Sequence, residues 1–341
     1  MFVRRFTNFT RKQGENLSKR INIAVIGAGY WGTKLVNEYL ALSKKRHDLK
    51  LQAIADKSPE SLCSIRERFS LPDSMLKKDY DKILEDPKIT GVHIATPNET
   101  HYEIAMKAIA AGKNILLEKP MCLTSSDAFR LARQAEKNGA VLLIGHIFRF
   151  NNAVNRVKQM VENGEIDKVR CLELRWVSAM SPPHGRDIIF DLAPHPVDIL
   201  NHIFEEWPTK VYAEGRSYER KKAGLEEVAF ITMEFPGDIV ASLTLSWVHH
   251  GPRERTVFII NEKNAIKIEA VEQTITLFEK GAKKEILVER NNTIESEINH
   301  FIDRIKNGVP PINSPLIGVR NVTVLEAMRK SLQEDKVVSV V

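Results

Sequence analysis

Cysteine is scarce in the 341-residue sequence, and none of the three cysteines is placed like a metal ligand or half of a redox pair. Cys63, Cys122 and Cys171 form no C-x-x-C motif, and their odd number argues against a disulfide framework. This usage is typical of a reducing compartment, so we predict a cytoplasmic protein. The sequence also has no apolar stretch near the roughly 20 residues that span a bilayer. We therefore expect no metal and no membrane partner.

Acidic residues are nearly missing from the N-terminus, and this local imbalance explains most of the net charge of +6. Residues 1–20 contain six basic residues and one acid, Glu15, so they carry +5 and the other 321 residues carry +1. A basic face on the fold, which a nucleic-acid partner would need, is not expected. We interpret residues 1–20 as an N-terminal extension. An import signal or a surface anchor is the alternative, because Phe2, Phe6 and Phe9 are spaced as in an amphipathic helix.

The length exceeds what one hydrophobic core usually covers, so we expect two domains. Residues 21–146 alternate strand-like apolar runs with helical segments, which indicates an α/β domain with a doubly wound parallel sheet of the Rossmann type. One helix is predicted from Asn98 to Ala111 and another from Ser125 to Asn138, each followed by glycine. The predicted strands are Ile21–Ile26, Leu51–Ala55, Val92–Ala95, Asn114–Leu117 and Val141–Gly145.

Residues 147–341 show a different pattern and are predicted to form an α+β domain with an open, largely antiparallel sheet. Apolar and polar residues alternate around Leu172–Trp176 and Ile239–Trp247, which is typical of strands with one buried face. Val257–Ile260 and Ile266–Ile268 flank a plausible hairpin connection. Two amphipathic helices end the chain, and we expect the last one to pack back on the first domain. The sheet is a candidate surface for a homodimer or homotetramer.

The stretch from Ile21 to Gly32 reads I-N-I-A-V-I-G-A-G-Y-W-G, a buried strand followed by glycines and a helix. Gly27 allows a tight turn, Gly29 lets the backbone approach a pyrophosphate, and Gly32 lets the helix pack closely on the strand. The helix N-terminus then offers free N–H groups to an anion. This order predicts a dinucleotide site, with Tyr30 and Trp31 beside the ligand. A glycine-rich turn without a ligand is the alternative.

A second strand ends in Asp56, which lies 56 − 32 = 24 residues after the last glycine, against an expected spacing of roughly 20. A carboxylate there accepts hydrogen bonds from the adenosine ribose hydroxyls and repels a 2′-phosphate, so NAD is favoured over NADP. Lys57 follows the acid and would soften that rejection.

Polar residues follow two further strands at the edge where ligands bind in such sheets. We predict cofactor contacts there from Thr96, Pro97, Asn98, His101 and Glu118. Lys119, the next residue, could donate a hydrogen bond to a substrate hydroxyl or carbonyl. Alternatively, Lys119 is an ordinary loop cation.

A second candidate cluster surrounds His195. Pro194 and Pro196 place a helix start here, because proline is tolerated only in the first turn. The positive end of the helix dipole disfavours imidazolium, which leaves a neutral imidazole able to accept a proton. Asp191 could orient that ring or offset its developing charge. In the alternative interpretation Asp191 is a helix N-cap and His195 has a structural role.

The junction between the two domains carries Arg149 and Asn151, which we predict to contact the substrate. An arginine fork suits a carboxylate or phosphate, and an asparagine can address a hydroxyl. Alternatively, Arg149 pairs with a nearby acid in a polar hinge.

Together these residues resemble the glucose-fructose oxidoreductase/inositol dehydrogenase/MocA (Gfo/Idh/MocA) family. The resemblance covers nearly the whole chain from Ile21 onward. E-K-P followed by D-x-x-x-H is its most specific part. The motifs that carry the resemblance are G-A-G-Y-W-G, T-P-N-E-T-H at Thr96–His101, E-K-P at Glu118–Pro120, the D-x-x-x-H pair Asp191 and His195, and P-L-x-G-x-x-x-V-x-V-L-E-A at Pro315–Ala327.

The resemblance implies a nicotinamide-dependent oxidoreductase with its site in the crevice between the domains. Lys119 and His195 would be the catalytic pair, Asp191 their partner, and the Lys119-Pro120 peptide is often cis in relatives. The substrate would be the secondary hydroxyl of a sugar. The junction residues 148–152 make the chain similar to sugar-nucleotide 3-dehydrogenases, including those for UDP-N-acetylglucosamine. Open alternatives are a free sugar, inositol or an imine as substrate, or a dinucleotide-binding regulator without catalysis.

Overall fold

The structure is a computed structural model, and it describes residues 20–166, 168–180 and 185–340. The predicted N-terminal extension lies outside the described residues except for Arg20. No helix among the described residues is long and apolar enough to cross a membrane.

The first sheet is parallel and has the strand order expected of a Rossmann domain. From one edge to the other the order is β3-β2-β1-β4-β5-β6. The five predicted strands correspond to β1, β2, β4, β5 and β6, and each of their ends lies within two residues of the predicted one. The two-residue β3 was not predicted. The bounds are β1 Ile21–Ile26, β2 Leu49–Ala55, β3 Leu76–Lys77, β4 Gly91–Ile94, β5 Asn114–Leu117 and β6 Leu142–Ile144.

Helices connect these strands and cover both faces of the sheet. The prediction for Ser125–Asn138 is confirmed, with Gly139 in the left-handed conformation at the helix end. The helix predicted from Asn98 starts instead with one 3₁₀ turn, Asn98–Thr100, before the α-helix begins at His101. The bounds are α1 Tyr30–Lys45, α2 Pro59–Phe69, α3 Asp81–Glu85, α4 His101–Ala110 and α5 Ser125–Asn138.

The second sheet has nine strands and is mixed, with mostly antiparallel pairs. The sheet order is β14-β13-β12-β11-β7-β10-β9-β8-β15. The predicted hairpin is confirmed as β11 and β12. The bounds are β7 Val169–Val177, β8 Lys210–Arg216, β9 Val228–Phe235, β10 Ile239–Ser246, β11 Glu254–Asn261, β12 Ala265–Glu269, β13 Thr274–Glu279, β14 Ala282–Ile286 and β15 Val338–Ser339.

The two strands whose alternation was clearest pair in parallel, which corrects the direction inferred from their pattern. β7 and β10 are neighbours, and Leu172, Leu174 and Trp176 pair with Ala241, Leu243 and Leu245. All six side chains are buried. Alternation therefore reported the burial of one face of the sheet and not the strand direction.

Five α-helices lie in the described part of residues 147–340. Helices α6 and α7 contact the second sheet, α8 packs on both of them, and α10 packs on β8 and β15 at one edge of that sheet. Pro194 begins α8, as the proline pattern predicted. The bounds are α6 Asn152–Glu162, α7 Ile188–Leu192, α8 Pro194–Phe204, α9 Thr293–Asn307 and α10 Pro315–Glu334.

The last two helices also contact the first domain. Phe301 and Ile302 of α9 share an apolar cluster with β1 and α1. Gly318 of α10 lies so close to the first domain that an added Cβ would be 2.8 Å from Cγ1 of Ile144 and 2.9 Å from Sδ of Met121. The boundary at residues 146 and 147 stays a prediction, but the core of the first sheet is completed by the end of the chain.

Candidate active site

The glycine loop after β1 has the geometry that a dinucleotide pyrophosphate needs. Gly27 has φ +104°, and a Cβ there would lie 2.5 Å from the Ala95 carbonyl oxygen. At Gly32 an added Cβ would lie 1.9 Å from the Gly27 carbonyl oxygen, so helix α1 packs directly on the turn. Around Gly29 no atom lies within 4 Å of an added Cβ. Of the three glycines, Gly29 is therefore the one beside which there is room for a ligand.

The first turn of α1 supports the same fit. Gly29 provides no side-chain cap, and the first turn carries no acidic residue. The N–H groups at this helix end are thus left for an external acceptor, and a phosphate suits them in charge. When bound here, a nicotinamide dinucleotide supplies a hydride acceptor.

Asp56 lies beside the glycine loop, as its spacing predicted. One carboxylate oxygen accepts a hydrogen bond from the Ala28 N–H at 2.6 Å, and the other accepts one from the Ser58 N–H at 2.8 Å. These bonds hold the carboxylate at the end of β2, and each oxygen keeps a second lone pair for a hydroxyl.

His101 joins the two loops that are predicted to contact the cofactor. Its ring nitrogens lie 2.9 Å from the Thr96 carbonyl oxygen and 2.8 Å from that of Pro120. The side chain is fully buried, and burial lowers its pKa. The contact of His101 with the cofactor stays a prediction. Thr96, Pro97 and Asn98 stay predicted contacts at the end of β4.

Lys119 forms a bridge between the two halves of the site. The Lys119-Pro120 peptide is cis. The lysine Nζ donates a hydrogen bond to the Asp191 carbonyl oxygen at 2.8 Å and lies 3.8 Å from Asp191 Oδ1. Arg186 donates to the same Oδ1 at 3.0 Å. Asp191 thus partners the lysine and an arginine, and it does not bond to the His195 ring that we expected it to orient.

His195 is held by aromatic rings at the start of α8. The centroid of its ring lies 5.1 Å from that of Phe148, edge to face, and 6.3 Å from that of Trp176. Burial lowers the pKa of His195 well below its usual value, and the charges of Lys119, His146 and Arg255 lower it further. The imidazole is therefore neutral and can accept a proton. Its Nδ1 is buried and has no hydrogen-bond partner in the described part of the chain.

Glu118 connects the glycine loop to the strand that carries Lys119. It accepts a hydrogen bond from the Trp31 indole N–H at 2.5 Å, and His93 Nε2 lies 3.3 Å from the same oxygen. Burial opposes ionisation of Glu118, but the contacts with His93 and Trp31 prevail and lower its pKa. Burial and the Glu118 charge raise the pKa of nearby Glu297. One negative charge therefore lies behind Lys119, and it belongs to Glu118.

Arg149 and Asn151 have internal partners, and their contacts with the substrate stay a prediction. Arg149 is 6% exposed, and its Nη2 lies 2.7 Å from Asp198 Oδ1 and 2.6 Å from Asn201 Oδ1. Asn151 caps α6 by accepting the Val154 N–H at 3.1 Å, and its amide donates to the Ala270 carbonyl oxygen. Both side chains hold the hinge between the domains, as the alternative interpretation of Arg149 proposed.

Several side chains around His195 were missed by sequence reasoning. Trp176 and Phe148 form its walls, and Arg255 and Arg186 surround the site with positive charge. For Arg255 a signal existed, because strand alternation puts this charged residue on a buried face. Among the described residues, no group of three or more His, Cys, Asp or Glu side chains could hold a metal ion.

Two profiles of one family match the chain. The first, described as an oxidoreductase family with an NAD-binding Rossmann fold, matches residues 21–146. The second, the C-terminal domain of the same family, matches residues 154–267.

Individual relatives cover the chain almost completely. Myo-inositol 2-dehydrogenase of Thermotoga maritima is 26% identical over 331 residues, which are 93% of this chain and 97% of the relative. The structure of UDP-N-acetylglucosamine 3-dehydrogenase GnnA from Acidithiobacillus ferrooxidans is 23% identical, with a TM-score of 0.79 over 92% of this chain and 98% of its own. A levoglucosan dehydrogenase in complex with NADH and levoglucosan is 20% identical, with a TM-score of 0.83 over 94% and 100%. These two structures show the same fold.

The chain belongs to the Gfo/Idh/MocA family of oxidoreductases. It is an NAD(P)-dependent dehydrogenase, and its cofactor is a nicotinamide dinucleotide.

The glycine loop yields a paired prediction. Gly29→Ala should fold normally, because φ at this position is −71° and the Cβ meets open space, but it should weaken NADH binding by about tenfold or more. Gly32→Ala should lower the melting temperature, because its Cβ collides with the Gly27 backbone. NADH fluorescence titration and thermal unfolding measure the two effects. Wild-type NADH affinity in Gly29→Ala would contradict the placement of the pyrophosphate.

Proposed function

We propose that the protein oxidises a secondary hydroxyl of a sugar or UDP-sugar, at C3, with NAD. The observation that carries this proposal is the contact of Lys119, from the end of β5, with Asp191 of α7, a few residues before His195, whose half-buried imidazole is neutral. A cation and a proton acceptor on opposite sides of one cleft suit the oxidation of a carbinol, which must lose a proton from oxygen as its carbon loses hydride.

The chain's own residues divide the work in three parts. His195 accepts the proton of the substrate hydroxyl. The ammonium of Lys119, held by the Asp191 carbonyl oxygen, donates a hydrogen bond to the same substrate oxygen and stabilises the negative charge that develops on it. The aromatic rings of Phe148 and Trp176 flank the imidazole and hold it in place.

The UDP-sugar substrate is supported by the shared fold with GnnA and by arginines near the cleft. A polyol is the second candidate, and the similarity to a myo-inositol 2-dehydrogenase over 97% of its length favours it. A panel of UDP-N-acetylglucosamine, its uronic acid, free sugars, myo-inositol and an imine, each with NAD, separates these. NMR of the product identifies the oxidised carbon.

The preference for NAD over NADP rests on Asp56. Its carboxylate is fixed by the Ala28 and Ser58 N–H groups at the end of β2, where the adenosine ribose would lie. A 2′-phosphate would meet this negative charge, whereas two ribose hydroxyls would donate hydrogen bonds to it.

Assembly through the open face of the second sheet is supported by apolar side chains on that face. Phe230 is 57% exposed, Val240 is 44% exposed, and the rings of Phe258 and Phe278 stack 6.2 Å apart. A homodimer or homotetramer would cover this surface. The three cysteines are free, in keeping with a cytoplasmic location.

Replacing the proposed base tests the mechanism directly. His195→Ala should lower kcat by about 10²–10⁴-fold, because it removes the proton acceptor, while NADH binding stays near that of the wild type. His47→Ala is the control, because His47 is exposed and lies far from His195 in the sequence. Steady-state kinetics and NADH fluorescence give the two values. Near-normal turnover in His195→Ala would refute the assignment.

Replacing the ribose acid tests the cofactor preference. Asp56→Asn keeps an oxygen for the Ala28 N–H but removes the charge, so kcat/KM with NADP should rise relative to NAD by about tenfold or more. Kinetics with both cofactors measure the ratio. An unchanged ratio would mean that another residue sets the preference.

A further inference from the structure

One buried arginine in the wall of the site is not used by the mechanism above. Arg255 lies on β11 and pairs in register with Trp176 of β7, so the two side chains share one face of the sheet. The guanidinium carbon lies 5.5 Å from the centroid of the Trp176 ring, which in turn lies 6.3 Å from that of His195. Arg255 is therefore about one aromatic ring away from the proposed base.

The hydrogen bonds of Arg255 leave part of its fork unused. Nη1 donates to the Val177 carbonyl oxygen at 2.9 Å and to that of Glu254 at 2.8 Å. Within the described residues, no carboxylate forms a hydrogen bond or ion pair with this side chain. Arg149 is equally buried, at 6% exposure, but pairs with Asp198. A buried arginine without a carboxylate partner is unusual, because buried charges are normally paired.

The charged groups around Arg255 do not neutralise the positive charge of its guanidinium. Burial and then the charge of Arg253 lower the pKa of Arg255 to about 10, whereas Glu269 and Asp191 act in the opposite direction. Of these two acids, Asp191 already contacts Lys119 and Arg186. Burial raises the pKa of Glu269, which weakens it as a counter-ion.

The same positive region reaches the glycine loop. A hydrogen bond with Lys34 and the charge of that lysine lower the pKa of Tyr30 at the start of α1. The charge of Arg253 lowers it further. Arg253 thus acts on both Tyr30 and Arg255, which lie in different domains. Arg253 is therefore a second positive charge that acts on both domains next to Arg255.

We propose that Arg255 binds an anionic group of the substrate, a carboxylate or a phosphate, and so selects acidic sugars over neutral ones. This inference rests on the proposed function and narrows its substrate class. The unused N–H groups of a guanidinium suit two oxygens of one anion. When the hydroxyl to be oxidised lies at His195, the anionic group would lie on the opposite side of the sugar ring. It would be either a carboxylate on the ring or a phosphate at the anomeric carbon.

Two variants separate the charge of Arg255 from its shape. Arg255→Met keeps most of the length without the charge, and Arg255→Lys keeps the charge without the fork. Arg175→Met is the matched control, because this arginine lies on the neighbouring strand β7, on the other face, in an ion pair with Glu254. Each variant is assayed with NAD on glucose, glucuronate, glucose 1-phosphate, myo-inositol, UDP-N-acetylglucosamine and its uronic acid.

Arg255→Met should lower kcat/KM for the preferred anionic substrate by about 10- to 100-fold, as expected for the loss of charge-assisted hydrogen bonds. Its activity on neutral substrates should fall far less, so the ratio of anionic to neutral kcat/KM should drop by about tenfold or more, and the ratio for Arg255→Lys should lie between those of the wild type and Arg255→Met. A loss confined to the two uronic acids identifies a carboxylate as the ligand. A loss on the phosphate-bearing sugars that spares glucuronate identifies a phosphate.

An equal loss on neutral and anionic substrates would overturn the inference, because Arg255 would then only hold β7 and Trp176. An Arg255→Met enzyme unchanged on every substrate would also overturn it. Titration calorimetry of the NADH-saturated enzyme with the same compounds keeps the test independent of turnover. If the wild type binds none of the anions but oxidises neutral polyols, the inference fails and the dehydrogenase stands. If the wild type binds the anions through Arg255 but oxidises none of the compounds, the proposed function fails and the inference about anion binding stands.

Discussion

The contact between Lys119 and the start of the second domain is the interaction on which the site depends. The hydrogen bond from Lys119 Nζ to the Asp191 carbonyl oxygen joins the end of a Rossmann strand to the short helix that precedes α8. Because the acceptor is a backbone atom, the position of the lysine is tied to the path of the chain and not to one side-chain rotamer. The same chain path then brings His195 to the cleft.

Two buried polar networks support this contact from either side. Behind Lys119, Glu118 holds Trp31 and so links the catalytic strand to the cofactor loop. At the hinge, Arg149 binds Asp198 and Asn201 of α8, which fixes the helix that carries His195. Removing one partner of such a buried pair leaves the other charge without compensation, and that is strongly destabilising. Each network lies within one domain, and the Lys119–Asp191 hydrogen bond joins the two domains between them.

Local patterns predicted the parts of the site that depend on local geometry. The glycine turn, the position of Asp56 and the proline-marked start of α8 are properties of a few adjacent residues, and the structure has all three. The partners of Arg149 lie 49 and 52 residues away in sequence, so no spacing rule could identify them. The capping role of Asn151, in contrast, was available from the preference of asparagine for helix starts. The parallel pairing of β7 and β10 was hidden, because side-chain alternation reports only which face is buried.

In the proposed site, the ammonium of Lys119 and the neutral imidazole of His195 come from different domains and face the same substrate oxygen. NMR titration of the His195 ring in the wild type and in Lys119→Met tests this most directly, because a nearby positive charge lowers the pKa of an imidazole. We predict a wild-type pKa below the usual value near 6.5 and a higher pKa once the lysine charge is removed. An identical pKa in the two proteins would show that the side chains do not sense each other, and it would contradict the proposed catalytic pair.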